Sequence, residues 1–316
     1  TNKAMSLGDS DTALTLTASL TLDTTGANAS VGGGVTLGGA VNGTTANTES
    51  LTLNAGSTGA VSVVGSVGQT TPLKTLTLTH SNGAVFNAPV STGTSIELTD
   101  TTDGQTIRFA DNLSTPVLTT TANGYHLELL GTTTNVSAAN TATTFLNSGN
   151  LVLGNGAGDT LTFAGGLTAT APAAIHAAGT ISTTNKAMSL GDSDTALTLT
   201  ANITLSTGSG NITVGGTVND ATSGAHSLTL NSTGVTTLQA AVGNTAALSS
   251  VTTNAGGTLV MNGASVTTTG AQSYGEDITL GANTTLAAGT GDITLGATVN
   301  DTTRGAHSLT LNSTGV

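Results

Sequence analysis

The stretch that decides the fold runs from Gly210 to Val235 and reads GNITVGGTVNDATSGAHSLTLNSTGV. It returns at 291–316, an offset of 81, as GDITLGATVNDTTRGAHSLTLNSTGV, with 21 of the 26 aligned positions identical. A looser copy lies near the start of the chain, where VTLGGAVN at 35–42 leads to SLTLN at 50–54. Repetition at a fixed period is typical of stacked-repeat architectures.

A longer repeat supports the same interpretation. Residues 1–18 recur without change at 184–201, an offset of 183. Further along, Val41 corresponds to Val218, an offset of 177, so the first copy contains six additional residues. We assign them to 23–28, which has the composition of a turn. An insertion in a turn keeps the flanking strands in phase, as a stacked repeat requires.

Apolar and polar residues alternate in most of the remaining sequence. Examples are Ala13–Leu22, Leu161–Phe163 and Leu228–Leu230. A period of two indicates strands with one buried and one solvated face. It predicts that Leu228 points inward and Thr229 outward. Clusters rich in glycine separate these segments, and no stretch sustains a helical period, so the sequence predicts an all-β protein.

Composition decides between all-β architectures. Only 7% of the 316 residues are charged and 2% aromatic, with no tryptophan, whereas 36% are hydrophobic. That hydrophobic fraction argues against disorder. A string of β-sandwiches needs core aromatics, but a parallel β-solenoid, or β-helix, buries small aliphatic side chains. We therefore expect a solenoid of roughly 20 residues per coil, with the repeat period spanning about four coils. About 16 coils would make a rod roughly 75 Å long.

The regularity of the pattern predicts the organisation of the chain. Residues 1–100 and 151–316 are predicted as solenoid repeats, and 101–150, the least regular stretch, as irregular coils or a lateral excursion. The chain opens directly into repeat sequence, without a signal peptide, and stops inside a repeat at Val316. We expect it to be an excerpt of a longer polypeptide.

Charge excludes several classes of partner. Five basic residues stand against 17 acidic ones, for a net charge of −12. With no basic stripe to neutralise phosphates, the sequence predicts no nucleic-acid partner.

No run of 18 apolar residues occurs, so no membrane insertion of this segment is expected. The absence of cysteine excludes disulfides and thiolate sites.

Three segments resemble very large bacterial surface exoproteins, the filamentous-haemagglutinin-like adhesins of two-partner secretion systems and related β-strand-repeat giants. They are GDTLTFAGGL at 158–167, TNKAMSLGD at 184–192 and SVTTTGAQSY at 265–274. The resemblance implies a right-handed parallel β-helix stalk, exported and displayed outside a Gram-negative cell. That family carries no catalytic residues in such repeats, so the resemblance implies none here.

Pairs of aspartates are the weak candidates for calcium. Asp9 and Asp11 lie two residues apart in a turn, as do Asp192 and Asp194 in the second copy. A D-x-D step supplies two of the six to eight oxygens that calcium prefers. The remaining ligands of a calcium loop are missing, so we favour solvated turns and predict no metal site.

Two further acidic segments receive the same interpretation. GNGAGDTL at 154–161 partly matches the calcium-binding nonapeptide, with Asp159 as its acid, but the motif is solitary. Asp277 beside Glu276 lies in another turn. We expect both to be ordinary turns, with no cofactor.

Histidines offer no convincing metal site. His226 and His307 occupy equivalent repeat positions. Four coils would separate them by about 19 Å, too far to share an ion. His80, His126 and His176 form no close pairing in the sequence, so we expect all five to be structural or surface residues.

An enzyme that cleaves carbohydrate on a β-helix is the weakest alternative for function. Glycoside hydrolysis needs two carboxylates about 5–10 Å apart, one of them with a raised pKa. Arg108 lies near Glu97, Asp100, Asp103 and Asp111 in the sequence. Ordinary surface ion pairs explain that cluster, and we predict no catalytic residues.

The main prediction is a structural segment of a secreted adhesin or extracellular filament, one that gives reach and rigidity and self-associates end to end or laterally, as in a biofilm matrix. The alternative is a module that binds a surface glycan or host receptor through 101–150. Sugar binders usually stack sugars on surface aromatics, and few are available beyond Tyr125 and Tyr274. Thr-x-Thr pairs such as Thr198/Thr200 suggest ice binding, but they do not recur once per coil in one frame, so their array is predicted to be patchy.

Overall fold

A computed structural model describes residues 2–26 and 30–315. The described residues contain no helix and form 35 strands. Parallel strands stack as a β-solenoid of about 13 turns, with successive turns about 23 residues apart. The predicted solenoid is therefore confirmed, although its turns are longer and fewer than the sequence predicts. The chain divides into two compact units, Thr1–Gly154 and Asn155–Val316.

The first unit contains 17 strands among its described residues. They are β1 (Met5–Leu7), β2 (Leu14–Leu16), β3 (Leu20–Asp23), β4 (Val35–Leu37), β5 (Val41–Gly43), β6 (Leu51–Asn54), β7 (Val61–Val63), β8 (Leu73–His80), β9 (Ala84–Phe86), β10 (Val90–Leu98), β11 (Thr106–Phe109), β12 (Leu113–Thr115), β13 (Val117–Thr120), β14 (His126–Leu129), β15 (Thr133–Val136), β16 (Thr143–Thr144) and β17 (Leu151–Leu153).

Three ladders of parallel strands build this unit. The first runs β1, β4, β7, β9, β11, β14 and β17. The second runs β2, β5, the bridge residue Val67, the start of β10, β12 and β15. The third runs β3, β6, β8, the end of β10 and β13. A complete turn of this unit thus contributes one strand or bridge residue to each ladder.

The stretch 101–150 carries β11–β16. Of these, β11 to β15 pair in parallel with strands of neighbouring turns. Phe109 stacks on Phe86 of the preceding turn, with ring centroids 4.7 Å apart. Tyr125 and Phe145 are fully buried. The stretch therefore supplies most of the aromatic core of the first unit.

The second unit contains 18 strands among its described residues. They are β18 (Thr160–Phe163), β19 (Leu167–Ala169), β20 (Ala174–Ser182), β21 (Met188–Leu190), β22 (Ala196–Gly208), β23 (Ile212–Val214), β24 (Val218–Asp220), β25 (Ser227–Ser232), β26 (Val235–Leu238), β27 (Ser250–Thr253), β28 (Thr258–Met261), β29 (Ser265–Thr267), β30 (Gln272–Tyr274), β31 (Asp277–Leu280), β32 (Thr284–Ala287), β33 (Ile293–Leu295), β34 (Val299–Asp301) and β35 (Leu309–Asn312).

Three ladders again build the unit. Ladder one runs β19, β21, β23, β26, β28, β31 and β34. Ladder two runs from the starts of β20 and β22 through β24, the bridge residue Val242, β29 and β32 to β35. Ladder three runs β18, the ends of β20 and β22, β25, β27, β30 and β33.

Aliphatic side chains fill the interior one turn above another. Leu51, Leu76 and Ile96 are in register in the first unit and are fully buried. In the second unit Leu228 pairs with Val251, and both are 0% exposed, whereas Thr229 is only half-buried. The predicted orientations of Leu228 and Thr229 are confirmed. Burial of each such side chain contributes about 1.5–3 kcal/mol.

The two copies of the repeat at 210–235 and 291–316 do not occupy the same ladders. In the first copy, β23, β24 and β25 lie on ladders one, two and three, whereas the corresponding β33, β34 and β35 lie on ladders three, one and two. Ladder one runs from Ile212 through Thr236 and Leu259 to Ile278, which is three full turns. From Ile278 the chain passes ladder two and reaches ladder three before it arrives at Ile293, the residue that corresponds to Ile212. The predicted division of the repeat period into four coils is therefore wrong.

The six additional residues of the first copy lie between β3 and β4. Leu22 and Val35 are 13 positions apart, whereas the matching Leu205 and Ile212 are 7 apart. The longer connection leaves both flanking strands in their ladders. Of the predicted turn 23–28, residues 27 and 28 lie outside the described residues.

Candidate functional surfaces

The predicted D-x-D turns are closed by their own hydrogen bonds. Asp9 Oδ1 accepts from the Thr12 hydroxyl at 2.7 Å and from the Asp11 amide at 3.2 Å. The hydroxyl bond, followed by the amide bond, lowers the pKa of Asp9. Asp192 Oδ1 likewise accepts from the amides of Asp194 and Thr195, at 3.0 and 3.1 Å. Both Asp11 and Asp194 are exposed.

The carboxylate of Asp159 also stabilises a turn. Its Oδ2 accepts from the amides of Asn155 and Gly156, each at 2.8 Å, and the residue is only 5% exposed. Among the described residues, no three histidines, aspartates or glutamates gather as a metal site would require. That these turns hold no metal stays a prediction.

Asp220 organises the loop at the centre of the repeat. Its Oδ2 accepts from the amides of Ala225 and His226 at 2.8 Å, and its Oδ1 accepts from the Thr222 amide at 3.1 Å and lies 2.6 Å from His226 Nδ1. Burial alone would raise the pKa of Asp220, but these bonds outweigh it and lower the pKa. The aspartate and histidine of the repeat therefore form a structural pair.

The second copy reproduces this pair. Asp301 Oδ1 lies 2.6 Å from His307 Nδ1, and its Oδ2 accepts from the amides of Ala306 and His307. Because β24 and β34 belong to different ladders, the two Asp–His loops face different sides of the unit. His226 and His307 are therefore not stacked above one another, contrary to the prediction.

The remaining histidines make separate local contacts. His80 Nε2 lies 3.7 Å from an Asp100 carboxylate oxygen, and His126 Nδ1 accepts from the Asn150 amide at 2.7 Å. His176 lies on β20 in register with Thr198. The three residues thus serve three different contacts.

Arg108 pairs with an acid that sequence proximity does not suggest. Its Nε lies 2.5 Å from Glu128 Oε2, on the next turn of the same ladder. Glu97 instead accepts from the Ser95 and Thr77 hydroxyls. Two further neighbours in sequence accept from backbone amides: Asp103 from Gly124, and Asp111 from Asn112. In the part of the chain that the structure describes, Arg108 therefore pairs with Glu128 and with none of the four acids named from the sequence.

Glu276 and Asp277 point to opposite sides of the backbone. Glu276 is 1% exposed, and its burial raises the pKa of its carboxyl to about 7. Asp277 is exposed and accepts from the Thr298 hydroxyl and amide, which lower its pKa. Glycoside hydrolysis requires two carboxyls that flank the same bond of the substrate. The carboxyls of Glu276 and Asp277 do not have this arrangement.

Both tyrosines considered for sugar stacking are core residues. Tyr125 and Tyr274 are each 0% exposed. The hydroxyl of Tyr125 donates to the Leu98 carbonyl, and that of Tyr274 donates to Gln272 Oε1 at 2.8 Å. Their assignment as available surface aromatics was wrong, because both lie on the inward side of the alternating pattern.

Hydroxyl side chains form a continuous outward column on ladder three of the second unit. One member comes from each turn, in register: Thr160, Thr180, Thr204, Thr229, Thr252, Ser273 and Thr294. We call it the hydroxyl column. The sequence predicted a patchy array of Thr-x-Thr pairs, because those pairs do not recur once per coil in one frame. The members of the hydroxyl column are single positions that recur at unequal intervals, 20 to 25 residues apart. The turns differ in length at the corners between strands, so the members stay in register although their spacing in the sequence varies.

Asparagines that the sequence interpretation missed connect successive turns. The side-chain oxygens of Asn202, Asn211 and Asn283 accept from the backbone amides of Ser227, Val235 and Ser308, at 2.9–3.0 Å. Each bond spans 24 or 25 residues. The available signal was the recurrence of Asn directly before an inward isoleucine, as in the N-I-T steps at 202 and 211.

In the described part of the chain, no helix has the length and apolar character needed to cross a bilayer. The chain matches no family model, and it has no significant match among curated proteins or solved structures.

Proposed function

We propose that this chain is a structural repeat segment of a secreted bacterial surface adhesin or extracellular filament. Its role would be reach, rigidity and self-association outside a Gram-negative cell, without catalysis. The β-solenoid is compatible with such a role. The resemblance of segments such as 158–167 and 265–274 to filamentous-haemagglutinin-like repeats supports the extracellular setting.

The observation that carries the proposal is the hydroxyl column. Its seven members are short, uncharged and in register on one face. In a chain of net charge −12, an uncharged column of side chains is where two copies approach with little repulsion. Strand spacing places its hydroxyls about 4.8 Å apart, a period that a second copy would match.

Lateral association of the purified chain tests the proposal. We expect the wild type to form concentration-dependent assemblies in sedimentation velocity, and electron micrographs to show particles side by side. The double variant Thr229→Lys/Thr252→Lys places two charges within the hydroxyl column and should abolish the assemblies. The matched variant Thr229→Ser/Thr252→Ser keeps the hydroxyls and should retain them. Assembly by the lysine variant equal to that of the wild type would contradict lateral packing through this column.

A binding module for a surface glycan or receptor is the second candidate. A groove of about 400 Å³ lies beside the start of 101–150, and Asn82, Gln105 and Arg108 line part of it. Amide and guanidinium groups can donate hydrogen bonds to sugar hydroxyls. Binding of a glycan on an array that is lost in Arg108→Ala and Gln105→Ala would favour this function over self-association.

A further inference from the structure

One turn of the second unit places three polar side chains in the core. Gln272, Tyr274 and Glu276 alternate inward, and each is at most 1% exposed. Their register partners on the adjacent turns are apolar or small: Val251 and Ile293 flank Gln272. This polar layer interrupts an interior that is otherwise built mainly of aliphatic side chains.

The first two members of the polar layer satisfy each other. Gln272 Nε2 lies 3.0–3.1 Å from the carbonyl oxygens of Val266 and Ala287 and from the Thr268 hydroxyl oxygen, and these three acceptors share its two hydrogens. The Tyr274 hydroxyl donates to Gln272 Oε1. Both side chains are thereby fixed in the core.

Glu276 has no such partner. Neither of its carboxyl oxygens is accessible to solvent, and neither has a hydrogen-bond partner. The corners packed against it, 253–258 on the preceding turn and 295–298 on the following one, contain no titratable residue. The adjacent strands contribute Asp277, which points outward to Thr298, and Tyr274, which is bonded to Gln272.

An unpaired buried carboxyl is tolerated only in its neutral form, because transfer of the charge from water into the core costs far more. We propose that the turn from Gln272 to Leu280 is a pH-sensitive joint of the solenoid, closed while Glu276 is neutral and opening locally to release it as an ion. The direction follows from burial: the closed state retains a proton that the open state loses.

Burial supports this direction, since it raises the pKa of Glu276 from its ordinary 4.5 to about 7. Between these two values the open turn has lost its proton and the closed turn has not, so each rise in pH favours opening. Below the ordinary pKa, and above the raised one, the equilibrium between the closed and open turn no longer depends on pH. From pH 5 to pH 8 the opening equilibrium should increase on the order of 100-fold.

Hydrogen exchange on the full 316-residue chain tests the joint. Amide protection in peptides covering 270–282, corrected for intrinsic exchange rates, should fall as the pH is raised from 5 to 7.5. In Glu276→Gln, which cannot ionise, protection of this turn should be independent of pH. Asp277→Asn removes the exposed neighbouring charge and should retain the wild-type dependence. Equal pH dependence in wild type and Glu276→Gln would overturn the proposal.

Titration of the glutamate carboxyls provides a second measurement. Its decisive result comes from the wild-type protein, so it does not depend on how well a variant folds. The chain has only four glutamates, Glu49, Glu97, Glu128 and Glu276, so carbon-13 labelling of glutamate gives few signals. One signal should titrate near neutral pH and disappear in Glu276→Gln or Glu276→Ala. A wild-type spectrum in which no glutamate signal titrates near neutral pH would equally overturn the proposal.

Discussion

Single carboxylates in this protein act on the backbone around them. Asp220 accepts hydrogen bonds from three amides and contacts His226, and Asp301 repeats the arrangement. Asp159 holds its own turn in the same way. A chain with so few charged residues thus uses several of them to shape loops that carry little apolar surface.

Replacement of Asp220 by asparagine should destabilise the second unit. The amide cannot accept all the bonds that the two carboxylate oxygens accept, so we expect a loss of about 1–3 kcal/mol in the free energy of unfolding. Denaturant unfolding of the variant and wild type would measure it. Asp194→Asn alters an exposed turn residue and is the control. Equal small losses in both variants would count against the structural role of Asp220.

The same carboxylate predicts a dependence on pH. Its hydrogen bonds lower the pKa of Asp220 below its ordinary value of 3.8. Its contribution to stability should therefore be complete above that value and be lost as the pH falls through the lower folded-state pKa. The difference in melting temperature between the wild type and Asp220→Asn should shrink below pH 3.8. A difference that stays constant to pH 2 would show that ionisation of Asp220 is irrelevant.

Strands in this protein are defined by which side of the backbone each residue faces. Leu228 and Leu230 are fully buried while Thr229 between them is half-buried. A charge at the first position has no polar partner in the core, whereas a charge at the second lies in water. Adjacent residues therefore differ sharply in what they tolerate.

Leu228→Asp and Thr229→Asp test this difference directly. The first buries an unpaired carboxylate and should cost more than about 4 kcal/mol, enough to disrupt the unit. The second should change stability by about 0.5 kcal/mol or less. Thermal melts followed by circular dichroism would measure both. Similar melting temperatures for the two variants would show that the register is wrong.

The corner in which a residue lies determines whether its side chain has room beside the backbone of the neighbouring turn. Gly216 corresponds to Ala297 in the second copy of the repeat, so sequence comparison predicts that alanine is tolerated. A Cβ on Gly216, however, would lie 1.9 Å from the Thr195 carbonyl oxygen. The two positions lie at different corners: Gly216 lies between ladders one and two, and Ala297 between ladders three and one.

Gly216→Ala should therefore be destabilising despite its precedent in the repeat. We expect a loss of roughly 1–3 kcal/mol, because the backbone of the neighbouring turn must move. Gly158→Ala, where a Cβ meets nothing within 4 Å, is the matched control. Chemical denaturation of both variants would measure the effect, and an unchanged stability of Gly216→Ala would contradict the close approach.

Each unit of the molecule is built from turns that contact mainly their neighbours. In such arrays the stability is approximately a sum over turns and interfaces between turns. A single turn of the second unit adds one strand or bridge residue to each ladder, for example those that contain Thr236, Val242 and Val251. A complete turn is thus a removable part, whereas a fraction of one is not.

Deletion of 236–258 removes one complete turn, and with it one member of every ladder. The new junction places Leu259 above Ile212, so all three ladders stay in register. We expect this variant to retain its β spectrum and a cooperative melt. Deletion of 236–247 removes only part of a turn, shifts the later strands between ladders and should prevent folding of that unit. Failure of the complete-turn deletion together with success of the partial one would contradict the assigned ladders.

The alternation of Leu and Thr by itself determined that the chain forms strands and that Leu228 faces inward. These properties are local, because each depends only on the side of the backbone that a residue takes. The sequence could not determine the length of a turn, since that depends on how corners of unequal length pack against the turn below.

The tertiary structure alone decided which residues lie above one another. It assigned near-identical copies of the repeat to different ladders, aligned the hydroxyl column and buried Tyr125, Tyr274 and Glu276. It also paired Asn211 with Val235 on the next turn. The physical reason is that contacts between turns depend on the summed length of three strands and three corners, which no single stretch of sequence contains.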